Sequence, residues 1–305
     1  MQHARAIGAA PPVASSMPVW LEQAGVVAIL AMAGALQVSI AIAQALLAIA
    51  ILCWLGVIIL RAERVEVPAF FWPLAALAIW TVVSATFSPD PIASLADGKQ
   101  LLLFLIVPLV YRFVSGERGG LLLTIVVSVG AASAAYGIFQ YGILRYDNLG
   151  MRPRGTLGHY MTYSGLLMLV ICTALARILY APRDRMWAAL VMPALAVAVA
   201  LTFTRSAWVG TCAAAALLFA LKDFRLVAVL PVVAAVFFLA APQGLSDRFA
   251  SMFDMSDPTV RDRVAMLEVG KGMVGAHPLV GVGPEMVERM YPDYRPADAV
   301  QAVNP

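Results

Sequence analysis

Arginine side chains stand at three places in the sequence where one long apolar run ends or another begins. Arg152 and Arg154 precede one run, Arg205 lies in a short connection between two others, and Arg261 and Arg263 belong to a polar C-terminal stretch. The planar guanidinium forms two parallel hydrogen bonds to phosphate oxygens, and a reduced dielectric strengthens them. These residues therefore predict a site for a phosphate or pyrophosphate group carried by a lipid.

The composition is that of a membrane protein with several spanning helices. Hydrophobic residues make up 62% of the 305 residues, charged residues make up 13%, and the mean hydropathy is +0.85. Soluble domains contain about 45–50% apolar and about 25% charged residues. We predict an all-α polytopic fold with about nine transmembrane helices, at residues 20–36, 39–60, 67–87, 101–114, 120–142, 160–180, 186–203, 207–221 and 226–241.

The distribution of basic residues predicts which connections share a side of the membrane. We expect a cytoplasmic N-terminal tail at 1–19, a transmembrane domain at 20–241 and an external region of helices and loops at 242–305. With the N-terminus inside, Lys and Arg concentrate in the even-numbered connections, as the positive-inside rule requires. The candidate arginines fall on the other side, so we expect their ligand outside the cytoplasm.

The external region has the pattern of a helix that lies on the membrane domain. Asp257 and Pro258 are typical of an N-cap and a first helical residue. Apolar residues then recur near helical spacing, at Val260, Val264, Leu267 and Val274. Arg263 falls beside this stripe and Arg261 points away from it, which favours Arg263 for a site between the helix and the membrane domain. The alternative is a solvated basic face.

Other residue patterns in the chain predict neither a metal nor a cofactor. The three cysteines lie inside apolar runs without paired spacing, and Asp254 and Asp257 have no neighbouring ligands. The Gly281–Pro284 run lacks the strand and lysine of a nucleotide loop, so it predicts a tight turn. We expect no metal, no cofactor and no nucleic-acid partner. His159 is a candidate contact for the anion, and the six methionines beyond residue 250 predict a small core or a bilayer-facing surface.

Three short segments occur in a fixed order along the chain: RPRGTLGH at 152–159, TRSAW at 204–208 and HPLVGVGP at 277–284. Together they resemble the O-antigen ligase and O-antigen polymerase superfamily, over roughly residues 120–292. The resemblance implies a C-type glycosyltransferase fold in the bacterial inner membrane, with an active site that faces the periplasm. It also implies a donor glycan on undecaprenyl pyrophosphate and, for a ligase, the lipid A-core of lipopolysaccharide as acceptor.

The resemblance also suggests a metal-independent, inverting mechanism. Arg205 and Arg263 would bind the donor pyrophosphate and stabilise the negative charge that grows on it, with Arg152, Arg154, Arg261 and His159 as further pyrophosphate-binding candidates. The histidine-rich segment that the family would use as general base does not occur in the 305 residues. We therefore assign no catalytic base in this chain and expect a C-terminally truncated sequence whose base lies beyond Pro305. His277 is a weaker substitute.

Alternative functions remain open at the level of sequence. An O-antigen polymerase or a protein O-oligosaccharyltransferase would use the same arginines, and only the acceptor distinguishes them from a ligase. A small-anion transporter would instead use Arg205 to line a pathway. Paired broken helices in two halves of the chain would favour transport, but the sequence shows no such internal repeat.

Overall fold

The computed structural model describes residues 19–61, 63–148, 150–232, 235 and 258–296. Every regular element in these ranges is helical, which confirms the all-α prediction. The α-helices are α1 Val19–Ala35, α2 Ile40–Arg61, α3 Phe71–Thr86, α4 Pro91–Asp97, α5 Ile106–Phe113, α6 Glu117–Gly142, α7 Tyr160–Tyr180, α8 Arg185–Leu201, α9 Arg205–Lys222, α10 Pro258–Ala276 and α11 Met286–Tyr294. Two 3-10 helices, Gly98–Leu105 and Phe224–Ala228, are also present.

Within the part of the chain that the structure describes, four helical stretches are long and apolar enough to cross a membrane: Ile40–Leu60, Pro91–Phe113, Glu117–Gly142 and Tyr160–Tyr180. The chain is thus a multi-pass membrane protein. Helices α1, α3 and α8 are apolar but have only 16 or 17 residues, which at about 1.5 Å per residue is a few ångströms short of the hydrocarbon core. The ninth predicted span extends beyond the described residues, so the count of nine stays a prediction.

The connection predicted at 88–100 is mostly helical. The Asp90 carboxylate accepts a hydrogen bond from the Ala93 amide at 3.1 Å, and Pro91 occupies the first position of α4. An N-cap followed by proline is a strong helix start. The fourth span therefore begins at Pro91 rather than at residue 101, and it continues through the 3-10 helix Gly98–Leu105 into α5.

Small residues let the apolar helices approach closely. A Cβ on Gly130 of α6 would lie 2.6 Å from the Val170 side chain of α7, and Gly137 lies directly against Tyr163. Gly25 of α1 faces the ring of Phe113 in the same way. Because lipid offers no hydrophobic drive for helix association, such close packing stabilises the bundle. One core forms between α6, α7 and α8, and another between α1, α2 and α5.

Successive connections alternate between two ends of the bundle. At one end the α1–α2 turn meets the α6–α7 connection, where the Thr156 hydroxyl donates to the Val38 carbonyl at 2.7 Å. At the opposite end Arg112 binds Glu63 with two hydrogen bonds of 2.8 and 3.0 Å. The first two predicted spans, 20–36 and 39–60, are separated in the structure by a turn at 36–38. Which of the two ends faces the cytoplasm stays a prediction.

The C-terminal helices α10 and α11 form a small core of their own, which we call the tail. Val269, Met273, Val282 and Met286 are buried in it, and Ala93 of α4 packs against it. Met273 and Met286 thus belong to a core, one of the two alternatives proposed, whereas Met266 is 44% exposed and Met252 and Met255 lie outside the described residues. The predicted face of α10 is wrong: Leu267 is 73% exposed, whereas Ala265 is buried beside Val269. The face is set by docking of α11, which the spacing of valines and leucines does not reveal.

The glycine segment that follows α10 fixes the tail to α3 and α4. Gly281 and Gly283 have φ angles of +67° and +91°, which confirms the predicted turn. Carbonyl groups of this segment accept three hydrogen bonds from the membrane domain: Trp80 Nε1 to Leu279, Ser84 Oγ to Val280 and Ser94 Oγ to Pro284. An ion pair of 2.7 Å between Arg289 and Asp90 adds to this contact. The segment therefore holds the tail at the end of the bundle.

Candidate functional site

An open cavity of about 570 Å³ lies at the end of the bundle that the tail covers. The first turns of α7, α9 and α10 and the connection before α7 surround it. Its lining contains three arginines, and we call it the arginine cavity. The lining residues are Arg152, Tyr160, Met161, Phe203, Thr204, Arg205, Ser206, Val209, Gly210, Val260 and Arg263.

A tight connection between α8 and α9 places Arg205 in this cavity. Phe203 adopts the left-handed conformation, with φ of +53°, and the buried Thr202 hydroxyl donates to the Val199 carbonyl at 2.7 Å. The indole of Trp208 donates to the same carbonyl at 3.2 Å. The chain therefore reverses within three residues, so that α9 begins at Arg205 with this side chain at the cavity wall.

Arg152 and Arg263 reach the cavity from two other parts of the chain. The Arg152 guanidinium lies 4.3 Å from the centre of the Tyr160 ring, and Tyr160 itself lines the cavity. A cation held over an aromatic face is favourable by about 0.5–2 kcal/mol. Arg263 projects from the second turn of α10 and is exposed, so bulk solvent screens its charge more than that of the half-buried Arg205.

The other sequence candidates do not line the arginine cavity. Arg154 is exposed and lies over the Tyr146 ring at 5.6 Å, and Arg261 is exposed on α10. His159 caps α7, since its Nδ1 accepts a hydrogen bond from the Met161 amide at 3.3 Å, and it stacks on Tyr160 at 4.9 Å. His277, the weaker substitute base, is exposed near the C-terminal end of α10 and does not line the cavity either.

The described lining of the cavity is rich in positive charge. None of the described residues that line it is an aspartate or glutamate. The N-terminal turns of α7, α9 and α10 add partial positive charge, because backbone N–H groups at a helix start point outward along the dipole. Met161, Phe203, Val209 and Val260 supply apolar wall. Such a site suits an anion joined to an apolar chain.

A larger cavity, of about 790 Å³, lies within the tail between α10 and α11. Its charged lining residues are Glu285, Glu288 and Arg295, so acidic groups outnumber basic ones there. An anionic ligand therefore favours the arginine cavity. In the described ranges no three histidine, cysteine or acidic side chains are grouped to hold a metal ion. The expectation that arginines replace a metal stays a prediction.

Sequence reasoning missed several residues of the site. Tyr160, Thr204 and Ser206 line the cavity, and the buried Gln140 holds the backbone beside Arg152. Thr204 and Ser206 flank Arg205 in the TRSAW segment, so their position could have identified them. Gln140 lies inside an apolar run, where a lone amide is a signal of a buried polar contact but does not reveal its partner.

A comparison with protein families finds that residues 188–305 match the model described as O-antigen ligase. This range contains α9, the tail, and two of the three arginines of the cavity. No curated protein and no solved structure is significantly similar to the chain. Members of the matched family are glycosyltransferase-like enzymes. Residues 188–305 are therefore similar to the O-antigen ligase family, which confirms the resemblance that the ordered segments of the chain predicted.

Proposed function

We propose that the protein transfers a glycan from undecaprenyl pyrophosphate to the lipid A-core of lipopolysaccharide, with the arginine cavity as donor site. The observation that carries this proposal is the convergence of Arg152, Arg205 and Arg263, from three separate parts of the chain, on one cavity. The O-antigen ligase family domain contributes two of these arginines and supports the reaction type.

The pyrophosphate and the polyprenyl chain of the donor match the charged and the apolar parts of the cavity wall. Pyrophosphate oxygens would accept bidentate hydrogen bonds from the guanidinium groups, and the hydroxyls of Thr204 and Ser206 add shorter-range donors. The first isoprene units would lie against Met161 and Val209, both of which are exposed on the bundle surface. A polyprenyl chain in the bilayer can enter such a site from the side, because the cavity lies at an end of the apolar helices.

The side of the membrane follows from charge. The opposite end of the bundle carries Arg112, Arg118, Arg177, Arg183 and Arg185, and cytoplasmic connections collect such residues. The arginine cavity would then face the periplasm, in the inner membrane. The arginines of the cavity would then lie on the side of the membrane where the positive-inside rule disfavours them. Ligand binding explains their presence there better than anchoring of a helix end to lipid headgroups does.

The chemistry would be a single displacement. The acceptor hydroxyl oxygen attacks the anomeric carbon opposite the pyrophosphate, the bond from that carbon to the phosphate oxygen breaks, and the configuration inverts. Negative charge grows on the departing pyrophosphate, where Arg205 and Arg263 stabilise it, and undecaprenyl pyrophosphate leaves. A general base takes the hydroxyl proton. We assign this base to no residue of the cavity.

A matched pair of variants on one helix tests the proposal. Arg263→Ala removes a cavity cation, whereas Arg261→Ala removes an exposed arginine of α10 that does not line the cavity. We expect transfer to fall about tenfold in Arg263→Ala, as for loss of one charge-assisted hydrogen bond, and to stay near wild type in Arg261→Ala. Initial rates are measured with a lipid-linked glycan donor and purified lipid A-core. Equal rates in both variants would contradict the donor site.

The acceptor is tested separately, since polymerase and protein-glycosylation activities would use the same donor cavity. Purified protein is given one donor with lipid A-core, a second lipid-linked repeat or a serine-bearing protein in parallel. Product on lipid A-core supports the ligase, and product on either other acceptor reassigns the activity within the family. Release of label across sealed vesicles without any new glycosidic bond would instead indicate transport of an anion.

A further inference from the structure

We propose that Gln140 is a positioning residue for the arginine cavity: it holds the backbone beside Arg152 and thereby sets the affinity for pyrophosphate. This inference rests on the proposed donor site. Gln140 is only 3% exposed and does not line the cavity, so it would act through other residues rather than by contact with a ligand.

The Gln140 side chain uses both ends of its amide on one short segment. Its Oε1 accepts from the backbone amides of Arg154 and Gly155, at 3.0 and 2.9 Å. Its Nε2 donates to the Gly155 carbonyl at 2.9 Å. These backbone groups lie in an irregular connection without helical partners, and a buried amide or carbonyl left unpaired is costly. One side chain therefore satisfies three backbone groups.

The segment around this contact has little freedom to take another shape. Gly155 has a φ of +60°, and a Cβ there would lie 2.7 Å from the Tyr163 ring. Tyr163 is itself buried, and its hydroxyl donates to the Ser133 carbonyl at 2.8 Å. The buried Pro153 restricts the backbone between this contact and Arg152. Movement of residues 154–155 is therefore transmitted to Arg152.

The Arg152 guanidinium depends on that placement. It lies over the Tyr160 ring, which belongs to the first turn of α7. A shift of the loop relative to α7 would separate the two groups and move the charge within the cavity. Because electrostatic stabilisation requires donors to be placed before the ligand arrives, loss of this order weakens binding even when Arg152 is present.

The test measures the energetic coupling between Gln140 and the cavity arginines, rather than the effect of one substitution alone. Full-length protein in detergent is titrated with undecaprenyl pyrophosphate, and the Kd is compared for Gln140→Leu, Arg152→Ala, Arg263→Ala and the two double variants that contain Gln140→Leu. We expect Gln140→Leu to weaken binding about tenfold, which corresponds to about 1.4 kcal/mol. In the Arg152→Ala background the same substitution should have almost no further effect, whereas with Arg263→Ala the effects should multiply.

A purely structural role of Gln140 would not produce this pattern. If Gln140→Leu weakens binding equally in both arginine backgrounds, or not at all, the positioning role is overturned. If Arg152→Ala and Arg263→Ala both bind like wild type, the donor site itself is wrong and the inference fails with it, so the two failures are distinguishable. Thr124→Val is the control for loss of a hydrogen bond far from the cavity. It removes the 2.8 Å hydrogen bond that the buried Arg177 donates to Thr124 at the other end of the bundle.

A second variant keeps the test decisive where Gln140→Leu does not fold. Gln140→Glu retains the oxygen that accepts from the Arg154 and Gly155 amides but loses the donor to the Gly155 carbonyl. We expect at least about threefold weaker binding than wild type, because the carboxylate loses that hydrogen bond and places an oxygen against the Gly155 carbonyl oxygen. That change should again disappear in the Arg152→Ala background. A Gln140→Glu effect that persists there would overturn the inference.

Discussion

Replacement of Arg205 by alanine is the perturbation that tests the donor site most directly. Arg205 is the first residue of α9, half-buried at the wall of the arginine cavity. Its charge adds to the positive end of the helix dipole, so pyrophosphate would meet both at one point. Alanine is a good helix former and leaves Thr204 in place as the residue before the helix, so α9 should still begin at the same residue.

The expected loss of activity in Arg205→Ala follows from the number of arginines in the cavity and from their exposure to solvent. A unit charge at about 4 Å in an effective dielectric near 20 gives about 4 kcal/mol, before the cost of desolvation is subtracted. Removal of one preorganised donor at a developing negative charge costs about 2.7–4 kcal/mol, or about 100- to 1,000-fold in kcat. Ground-state binding should weaken less, by about tenfold, because Arg152 and Arg263 remain in the cavity.

The assay separates these two quantities. Transfer of a labelled glycan is followed at saturating and at limiting donor, and the Kd for undecaprenyl pyrophosphate is measured on the same preparation. Arg205→Lys keeps the charge but loses the bidentate fork, so we expect it to recover part of the rate and remain about tenfold below wild type. Arg154→Ala is the matched control, because the Arg154 guanidinium lies over Tyr146 and does not line the cavity.

The reasoning is refuted if Arg205→Ala retains kcat within about threefold of wild type, since that is less than one charge-assisted contact would supply. It is also refuted if Arg154→Ala loses as much activity as Arg205→Ala. Thermal unfolding of each variant in detergent is recorded alongside. An Arg205→Ala protein with an unchanged melting temperature and a large loss of kcat supports the role in charge stabilisation.

Two further predictions concern how the tail is held on the bundle. Gly283→Ala should destabilise the protein by about 1–3 kcal/mol through overpacking, since a Cβ there would lie 2.5 Å from the Ser88 Cβ at a φ of +91°; Gly275→Ala, with open space around it, should change thermal unfolding little, and equal effects would contradict the docking. Two contacts of Asp90, first with the Ala93 amide and second with Arg289, hold the pKa of its carboxyl group below the ordinary value of 3.8. The ionised Asp90 therefore stabilises the folded protein fully above pH 3.8, and this stabilisation is lost as the pH falls through the lowered pKa. Asp90→Asn should therefore lower the melting temperature at neutral pH but not in strong acid, and a pH-independent difference would refute the ion pair.

Much of the helical framework could be predicted from the sequence. Helix α7 occupies Tyr160–Tyr180, the predicted range, and α6 begins three residues before its prediction. In lipid a segment must satisfy its own backbone hydrogen bonds, so the length of an apolar run is nearly the length of a helix. The exception is α4, where a capping aspartate and a proline begin the helix inside a stretch that polar residues made look like a loop.

The candidate site was predictable as a set of residue types but not as a geometry. The sequence indicated six residues that could bind pyrophosphate, and the structure brings Arg152, Arg205 and Arg263 to one cavity. Arg154 and Arg261 stand only two positions away from members of that set. Whether a side chain faces the cavity depends on the rotation of its helix or the course of its loop. On a helix, as for Arg261 and Arg263, a difference of two positions nearly reverses the direction of the side chain.

The sequence by itself determined the class of the protein, the approximate helices and the presence of unexpected cations at one end, because composition, run length and charge are local properties. Tertiary structure decided which cations meet, which face of α10 is buried and what the glycine turn contacts. Those outcomes depend on contacts between separate parts of the chain, such as the hydrogen bonds from Gln140 to the Gly155 carbonyl and from Ser94 to the Pro284 carbonyl. A polar group in an apolar run signals that it needs a partner, but only packing of the whole bundle determines which partner lies within hydrogen-bond distance.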